Sequence, residues 1–329
     1  RSAAQTESVS KADSTVASSK ANVSSENRGN QAAMFVEKKA DVIKVAHKYS
    51  PSRDFVMVLK KMGANNLFNI SPPLAVSNSE AKVADNLDTE VFMLGNYGVS
   101  DWFGPHIVNV TGNADGDRKL SEFTGGTHNY ESVESIPGTP TARTADLRLE
   151  ADGKKVDDFS GYANKIDIYW NNYVQAANTK KVDGSGREVL IEHYRVSFSG
   201  QQWDVECDVE FLEDVRWARY YGLQCVYSAC WEENIKFGAE DWVALGKDIQ
   251  SKSKTCDTML LRRGSHFLEM HIDNNVGIGN RSLKKSSSLP GAFAANYGKA
   301  YFYLVNDESG VVKGGTIHHY KGYYKFYYQ

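Results

Sequence analysis

The feature that most constrains the fold is a strict alternation of apolar and polar residues in two consecutive runs, 189–198 and 205–211. In the second run the acidic residues fall on one face and the apolar residues on the other. The acidic set is Asp204, Glu206, Asp208 and Glu210, and the apolar set is Trp203, Val205, Cys207, Val209 and Phe211. This pattern predicts antiparallel strands with one buried face, and Ser199-Gly200 between them predicts a tight hairpin turn.

Similar alternation recurs along most of the remaining chain. Further strands are predicted at 145–151, 165–170, 215–227, 267–273, 300–305, 311–319 and 323–328. The only helical periodicity in this part is at 241–249. Many long strands without intervening helices favour a large antiparallel β-sandwich, which we expect over residues 99–329.

The first 49 residues have a different pattern. Val9, Val16 and Val23 recur every seven residues, and Ala12 and Ser19 follow the first two at a spacing of three. This spacing predicts an α-helical coiled-coil stalk over 1–49, made by a homotrimer whose sister chains cover the thin apolar stripe.

Residues 31–48 continue the stalk as a second predicted helix, because their apolar residues recur at spacings of three and four. The expected fold class is therefore mostly β, with an N-terminal α-helical stalk, a linker or shoulder region at 50–98 and the sandwich as a carbohydrate-binding head. The alternative for residues 1–30 is a disordered, low-complexity tail.

Charge and cysteine content exclude several classes of function. The net charge is −3, from 38 basic and 41 acidic residues, so no bulk field attracts nucleic acid. No apolar run is long enough to cross a membrane, and no motif indicates a cofactor. Cys207, Cys225, Cys230 and Cys256 fit no metal-binding spacing, and we expect them to be reduced. The row Glu269, His271 and Asp273 could hold a metal, but alternate strand positions rarely converge on one ion, so no metal is predicted.

Histidines in two regions are candidates for acid–base chemistry. His128, Asn129 and Tyr130 follow the Gly125-Gly126 pair, which permits close approach of a ligand. If the protein is an enzyme, the expected catalytic residues are His106, His128, Tyr130 and His193. The alternatives are a turn whose side chains satisfy local backbone groups, and for His193 an ordinary solvated strand face.

An aromatic segment at 169–175 suggests a carbohydrate site. Its aromatic rings can stack on the apolar faces of sugar rings while amides bind hydroxyl groups. With the His128 loop, the expected ligand-binding residues are His128, Asn129, Tyr130, Tyr169, Trp170, Asn172, Tyr173 and Gln175. The alternative is that these rings fill the interior of the sandwich.

The segments 103–106, 123–130, 141–144, 165–175 and 212–224 resemble minor structural and tail proteins of phages and prophages of Gram-positive bacteria. That resemblance implies a tail-fibre or baseplate receptor-binding protein in the virion tail, made in the host cytoplasm. Its expected partners are two further copies of the chain, other tail or baseplate proteins and a cell-wall glycopolymer, either teichoic acid or polysaccharide. From the net charge and the lack of a long apolar run, no nucleic-acid or membrane partner is expected.

A second resemblance is to the β-sandwich of sugar mutarotases and some polysaccharide lyases, in which a loop similar to His128-Asn129-Tyr130 acts on a sugar. The sequence therefore predicts a protein that attaches a virion to a host glycopolymer. The alternative function is a polysaccharide-degrading lyase or hydrolase that uses His and Tyr as acid and base.

Overall fold

Strands account for nearly all the regular structure. The computed structural model describes residues 33–71, 73–88, 91–93, 102–116, 123–128, 139–181, 183, 185–253, 255–273, 291–306 and 310–329. These residues contain no α-helix, only two 3₁₀ helices at Ala177–Thr179 and Tyr227–Ala229, and no helix that could span a bilayer.

The strands in the first half of the chain are β1 (Met34–Lys39), β2 (Val42–Ser50), β3 (Arg53–Met62), β4 (Leu67–Ile70), β5 (Leu74–Ser77), β6 (Val91–Met93), β7 (His106–Val110), β8 (Phe123–Thr124), β9 (Ala142–Ala151), β10 (Lys154–Val156), β11 (Phe159–Ala163) and β12 (Ile166–Gln175). Those in the second half are β13 (Glu188–Phe198), β14 (Gln202–Phe211), β15 (Val215–Tyr220), β16 (Gln224–Val226), β17 (Asn234–Phe237), β18 (Val243–Ala244), β19 (Ile249–Gln250), β20 (Thr258–Arg263), β21 (His266–Ile272), β22 (Gly291–Ala294), β23 (Lys299–Tyr303), β24 (Val305–Asn306), β25 (Val311–Val312) and β26 (Ile317–Tyr328).

The largest sheet has ten strands in the order β10-β9-β12-β13-β14-β26-β21-β20-β17-β18. Its central pairs are antiparallel, and the hairpin predicted from the alternating runs is present as β13 and β14, with Val196 opposite Val205. Gly200 in the connecting turn has a φ of 79°, a conformation that favours glycine.

Three smaller sheets complete the described part of the chain. One has seven strands in the order β11-β1-β2-β3-β5-β6, with β4 beside β3. The second has five strands in the order β24-β15-β7-β8, with β25 beside β15, and the third has four in the order β16-β23-β22-β19. Residues 53–77, expected as a linker, supply β3, β4 and β5 of the seven-stranded sheet.

The smaller sheets share one hydrophobic core with the inner face of the ten-stranded sheet. Phe55 of the seven-stranded sheet stacks on Phe326, with ring centroids 5.1 Å apart. From the five-stranded sheet, Trp217 meets the edge of Phe211 at 5.0 Å. Residues of all four sheets belong to this buried cluster, so residues 32–329 form one compact unit with a layered, sandwich-like core.

The helix predicted over 31–48 is wrong, since β1 and β2 occupy the described residues of that segment. Besides the helical spacings of three and four, this segment also has the two-residue alternation of a strand. Its alternate residues Ile43, Val45, His47 and Tyr49 are all buried. The chain reverses between β1 and β2 at Ala40, which has a φ of 51°. The fold class is corrected accordingly: residues 33–49 are strands of the seven-stranded sheet and no helical stalk is present there. The heptad positions Val9, Val16 and Val23 lie outside the described residues.

Two other sequence predictions are corrected. The helical periodicity at 241–249 corresponds to the short strand β18 and a turn, not to a helix. The two strands expected at 311–319 and 323–328 are β25 and the single twelve-residue strand β26. The continuity of β26 matters for function, because it brings His319, Lys321 and Tyr323 onto one face.

Gly322, in the middle of β26, is packed too closely for any side chain. A Cβ atom there would lie 2.3 Å from the backbone oxygen of His271 and 2.6 Å from Cδ1 of Leu223. We expect Gly322→Ala to lower the free energy of unfolding by about 1–3 kcal/mol, the usual cost of overpacking. Urea denaturation measures this loss. Gly112→Ala is the matched control, because a Cβ there meets no atom within 4 Å. Equal stability of the two variants would contradict the packing described here.

Candidate functional site

The face of the ten-stranded sheet that points away from the core carries most of the accessible ionisable groups of the central strands. We call the outward side chains of β12, β13, β14 and β26 the open face. They include Tyr169, Asn171, Tyr173, His193, Arg195, Ser197, Asp204, Glu206, Asp208, Glu210, His319, Lys321 and Tyr323. Strand register aligns four of them in one cross-strand row, the histidine row: Asn171, His193, Asp208 and His319.

His193 is held by an oxygen acceptor at each ring nitrogen. Its Nδ1 lies 2.8 Å from Oδ1 of Asn171, and its Nε2 lies 2.8 Å from Oε2 of Glu210. The Asn171 amide is oriented because its Nδ2 donates to Asp146 at 2.9 Å. Both contacts of His193 are hydrogen bonds when each ring nitrogen carries a proton. The ring is therefore fixed in place, yet its side chain is 37 % exposed.

His319 has a similar arrangement on the other side of β14. Its Nδ1 forms a hydrogen bond with Oδ1 of Asp208, and its side chain is also 37 % exposed. Because β13 and β26 are separated by β14, the two imidazoles stand about 10 Å apart, two strand spacings. A ligand that lies between the two histidines could exchange protons with either imidazole–carboxylate pair.

The neighbouring row contains Tyr169, Arg195, Glu206 and Lys321. The guanidinium of Arg148 lies 4.0 Å from the Tyr169 ring centroid and that of Arg195 lies 5.7 Å from it. Lys321 Nζ contacts Oε1 of Glu206 at 2.6 Å. The two guanidinium groups orient the Tyr169 ring, and the residue remains partly exposed.

Two carboxylates of this region, Glu206 and Asp167, have lowered pKa values. Burial opposes the charge of Glu206, but the hydrogen bond and positive charge of Lys321, with that of Arg195, outweigh burial, so the pKa of Glu206 lies below its ordinary value. Asp167 behaves alike: burial acts against ionisation, while Ser197 and Arg195 together bring its pKa below the ordinary value. Glu206 and Asp167 therefore carry negative charge, and the neighbouring Lys321, Arg195 and Ser197 are held in place as their hydrogen-bond donors.

A groove of about 620 Å³ opens above these two rows. Its accessible lining includes Asp146, Arg148, Lys155, Asp157, Tyr169, Asn171, His193, Arg195, Glu206, Asp208 and His319. A concave volume of this size, with one aromatic ring and several converging polar groups, has the properties of a small-molecule site.

His106, a predicted catalytic residue, lies in the core and does not line this groove. It is fully buried in β7, where Trp217 Nε1 donates to its Nδ1 at 3.1 Å and its own Nε2 donates to Glu192 at 2.8 Å. Glu192 also accepts hydrogen bonds from Tyr194 at 3.0 Å and Asn172 at 3.1 Å. These residues form a buried polar network between the ten- and five-stranded sheets.

The predicted ligand-binding segment 169–175 divides between the two faces of β12. Trp170 and Asn172 point into the core and are 1 % and 3 % exposed, so they are not available to a ligand. Tyr169 lines the groove, and Tyr173 lies on the open face beneath the guanidinium of Arg143, 4.0 Å from its ring centroid. Gln175 ends the strand, and its Oε1 atom is buried.

The predicted His128 loop is elsewhere in the fold. His128 pairs with Gly125 beside β8, and its ring centroid lies 5.1 Å from that of Phe123. Its backbone oxygen accepts a hydrogen bond from Asn65 at 2.8 Å. His128 is not among the residues lining the groove, and Asn129 and Tyr130 lie outside the described residues. Of the four histidine and tyrosine residues expected as catalytic groups, the groove contains His193.

Sequence reasoning missed His319 and Asp208 as site residues. The alternation of β14 placed Asp208 on the solvent side, but only strand register shows that it faces both His193 and His319. The usable signal was the alternation along 317–328, which buries His318 and Tyr320 and leaves His319 and Lys321 outside.

The described residues contain no group of three or more His, Cys, Asp or Glu side chains that could hold a metal ion. In the row considered for a metal, Nδ1 of His271 contacts Oγ1 of Thr258 at 2.9 Å, and Glu269 accepts from Tyr323 at 2.5 Å. All four cysteines are free and buried. Burial raises the pKa of the Cys207 and Cys225 thiols, so these residues are core groups and not nucleophiles.

No family model matches the sequence, and no curated protein matches it. Among solved structures, a galactose 1-epimerase from Lactobacillus acidophilus NCFM is similar over 91 % of this chain and 99 % of that chain. The identity is 9 % and the TM-score is 0.39, and a likeness at this level carries no argument about function.

The predicted coiled coil is wrong for the described residues, which contain no α-helix, and no comparison indicates a phage tail protein. The homotrimer, the virion location and attachment to a Gram-positive cell stay predictions that none of these findings tests.

Proposed function

We propose that the open face of the ten-stranded sheet binds a carbohydrate in the groove above the histidine row. The observation that carries this proposal is the placement of Tyr169, His193, Asp208 and His319 around one accessible volume of about 620 Å³. A tyrosine ring can cover the C–H face of a sugar ring, while imidazole, amide and carboxylate groups bind its hydroxyls. This proposed site does not include the His128 loop. It retains Tyr169 from the ligand-binding residues predicted from the sequence.

The rigidity of the site also supports recognition of a polyhydroxylated ligand. Asn171 and Glu210 hold His193, and Asp208 holds His319, so the donors and acceptors are oriented before a ligand arrives. Less side-chain entropy is lost on binding when groups are already ordered. All these side chains stand on strands, which position groups more accurately than loops.

A second candidate function is proton-transfer catalysis on the bound sugar. It is favoured by the two exposed imidazoles, each hydrogen-bonded to a carboxylate and placed on opposite sides of β14. His319 can accept a proton from a sugar hydroxyl at Nε2, since Asp208 contacts its Nδ1, while His193, protonated at both nitrogens, can donate one to the ring oxygen. Proton NMR of a pure sugar anomer mixed with the protein distinguishes the functions: catalysis speeds anomer exchange, whereas simple binding only broadens the signals.

Tyr169→Ala is expected to weaken saccharide binding several-fold, because it removes about 1 kcal/mol of ring contact. Isothermal titration with a panel of monosaccharides and short oligosaccharides measures the effect. The matched control is Tyr297→Ala, since Tyr297 is exposed and lies in the turn between β22 and β23. If no saccharide of the panel binds, or if only the Tyr297 variant loses affinity, the proposed function is rejected.

A further inference from the structure

A second depression of about 500 Å³ lies beside the groove on the same face of the sheet. Its lining includes Ser197, Asp204, His271, Lys321 and Tyr323. Arg195 and Glu206 line both depressions, so the two volumes meet above this ion pair. We call these two adjoining depressions the trough.

The second depression has its own aromatic and hydrogen-bonding groups. The rings of Tyr323 and His271 are stacked, with centroids 5.0 Å apart and an interplanar angle of 29°. The Tyr323 hydroxyl donates to Glu269, and Nδ1 of His271 contacts the Thr258 hydroxyl, so both rings are held in place. This part of the trough repeats the combination of an oriented tyrosine and an oriented imidazole found in the groove.

The two tyrosines are too far apart to contact one sugar ring. Tyr169 on β12 and Tyr323 on β26 are separated by three strand spacings and lie in neighbouring rows. Strand geometry places them about 16 Å apart. A ligand that contacts both tyrosines must therefore be a chain of linked rings.

The trough has no excess of basic residues, since the groove is lined by three basic residues (Arg148, Lys155 and Arg195) and four acidic ones (Asp146, Asp157, Glu206 and Asp208). The second depression is lined by three basic residues, Lys165, Arg195 and Lys321, and three acidic residues, Asp204, Glu206 and Asp273. Arg195 contacts Asp167 at 3.1 Å and Glu206 at 3.6 Å, and Lys321 contacts Glu206 at 2.6 Å. A surface whose cations are paired with its own carboxylates gives no preference to an anionic ligand.

We infer that the groove and the second depression are two subsites for one uncharged oligosaccharide, which crosses above the Arg195–Glu206 pair. This inference rests on the proposed carbohydrate function and adds the length and charge class of the ligand. Tyr169 supports the ring in the first subsite and Tyr323 supports a ring in the second. The bridging ion pair contributes hydrogen bonds to hydroxyls on both sides.

The test is isothermal titration of the intact protein with glucose, galactose and mannose and their linear oligomers of two and four units. A tetramer of galacturonic acid, which is anionic, is compared with the neutral tetramers. We expect at least one neutral series to bind tenfold or more tightly as a tetramer than as a monomer. Tyr323→Ala should remove most of that gain, whereas Tyr169→Ala should weaken the binding of monomer and tetramer alike. Tyr323→Phe, which keeps the ring, should retain the gain, and thermal melting confirms that each variant is folded.

The outcomes separate the two proposals. Monomer binding that depends on Tyr169 but does not increase with chain length would overturn the two-subsite inference and leave the proposed function standing. Tighter binding of the galacturonate tetramer than of every neutral tetramer would overturn the charge class. Failure of all probes, monomers included, would overturn both.

Discussion

Replacing Glu192 by alanine is expected to lower the free energy of unfolding by about 3–5 kcal/mol, because several buried donors lose their acceptor at about 1–3 kcal/mol each. The carboxylate is 1 % exposed and accepts hydrogen bonds from His106, Tyr194 and Asn172. Tyr220 also donates to Glu192 at 3.4 Å, so alanine would leave four buried donors without this acceptor, and each would retain its cost of desolvation. Urea denaturation at pH 7 measures the loss.

The tyrosines of this network remain donors under all ordinary conditions. Burial, reinforced by neighbouring groups, raises the pKa of Tyr194, Tyr220 and Tyr320 well above the usual value. Tyr220 and Tyr320 contact each other through their hydroxyls at 2.9 Å. In Glu192→Ala these phenols stay protonated, so none of them can ionise and replace the missing carboxylate as an acceptor. The expected loss of unfolding free energy is therefore not reduced.

Glu188→Ala is the control for Glu192→Ala. Glu188 lies at the start of the same strand and forms an accessible ion pair with Arg143, whose side chain is 56 % exposed. Such pairs contribute about 0–1 kcal/mol. Glu192→Gln retains one oxygen acceptor and should fall between the two. A Glu192→Ala variant as stable as Glu188→Ala would show that the buried network does not hold the ten- and five-stranded sheets together.

A second large effect is expected from pH. His47 is 2 % exposed, its Nε2 has no hydrogen-bond partner, and its ring centroid lies 5.3 Å from that of Phe55. Burial lowers the pKa of His47 from 6.5 to about 4. Between pH 6.5 and about pH 4, the His47 imidazole is protonated in the unfolded chain but neutral in the folded chain. Stability is therefore complete above pH 6.5 and falls by about 3 kcal/mol as the pH falls to 4.

Chemical denaturation at several pH values compares the protein with His47→Leu. The variant should lose the part of the pH dependence that comes from His47, so the difference in unfolding free energy between the two proteins should change by about 3 kcal/mol from pH 7 to pH 4. Other groups with lowered pKa values, such as Glu206 and His266, contribute to the pH dependence of both proteins alike, so they cancel in the difference. Parallel stability curves would mean that His47 is not buried as described.

The alternation of residues predicted strand faces more reliably than it predicted neighbours. For β13 it correctly separated Glu192 and Tyr194 from His193 and Arg195, and for β14 it placed Cys207 inside and Asp208 outside. It could not show that His319, more than a hundred positions away, would lie opposite Asp208, because cross-strand register depends on the packing of the whole sheet.

The N-terminal error has a specific physical cause. Residues 43–49 satisfy both a helical spacing and a two-residue alternation, and the β-branched Ile43 and Val45 favour the strand. Pairing of β2 with β3, which places Ala46 opposite Val56, decides between them. The sequence of residues 43–49 alone does not predict that this segment pairs with β3. The aromatic segment 169–175 was similarly ambiguous, since alternate rings and amides serve the core and the open face.

The most direct test of the account is a crystal structure of the protein with the tightest-binding neutral oligosaccharide. We predict a sugar ring stacked on Tyr169, with hydroxyls in contact with His193 and His319, and the chain continuing past Arg195 towards Tyr323. A ligand bound on another sheet, with the outer surface of β12, β13, β14 and β26 empty, would contradict the assignment of the open face as the functional surface.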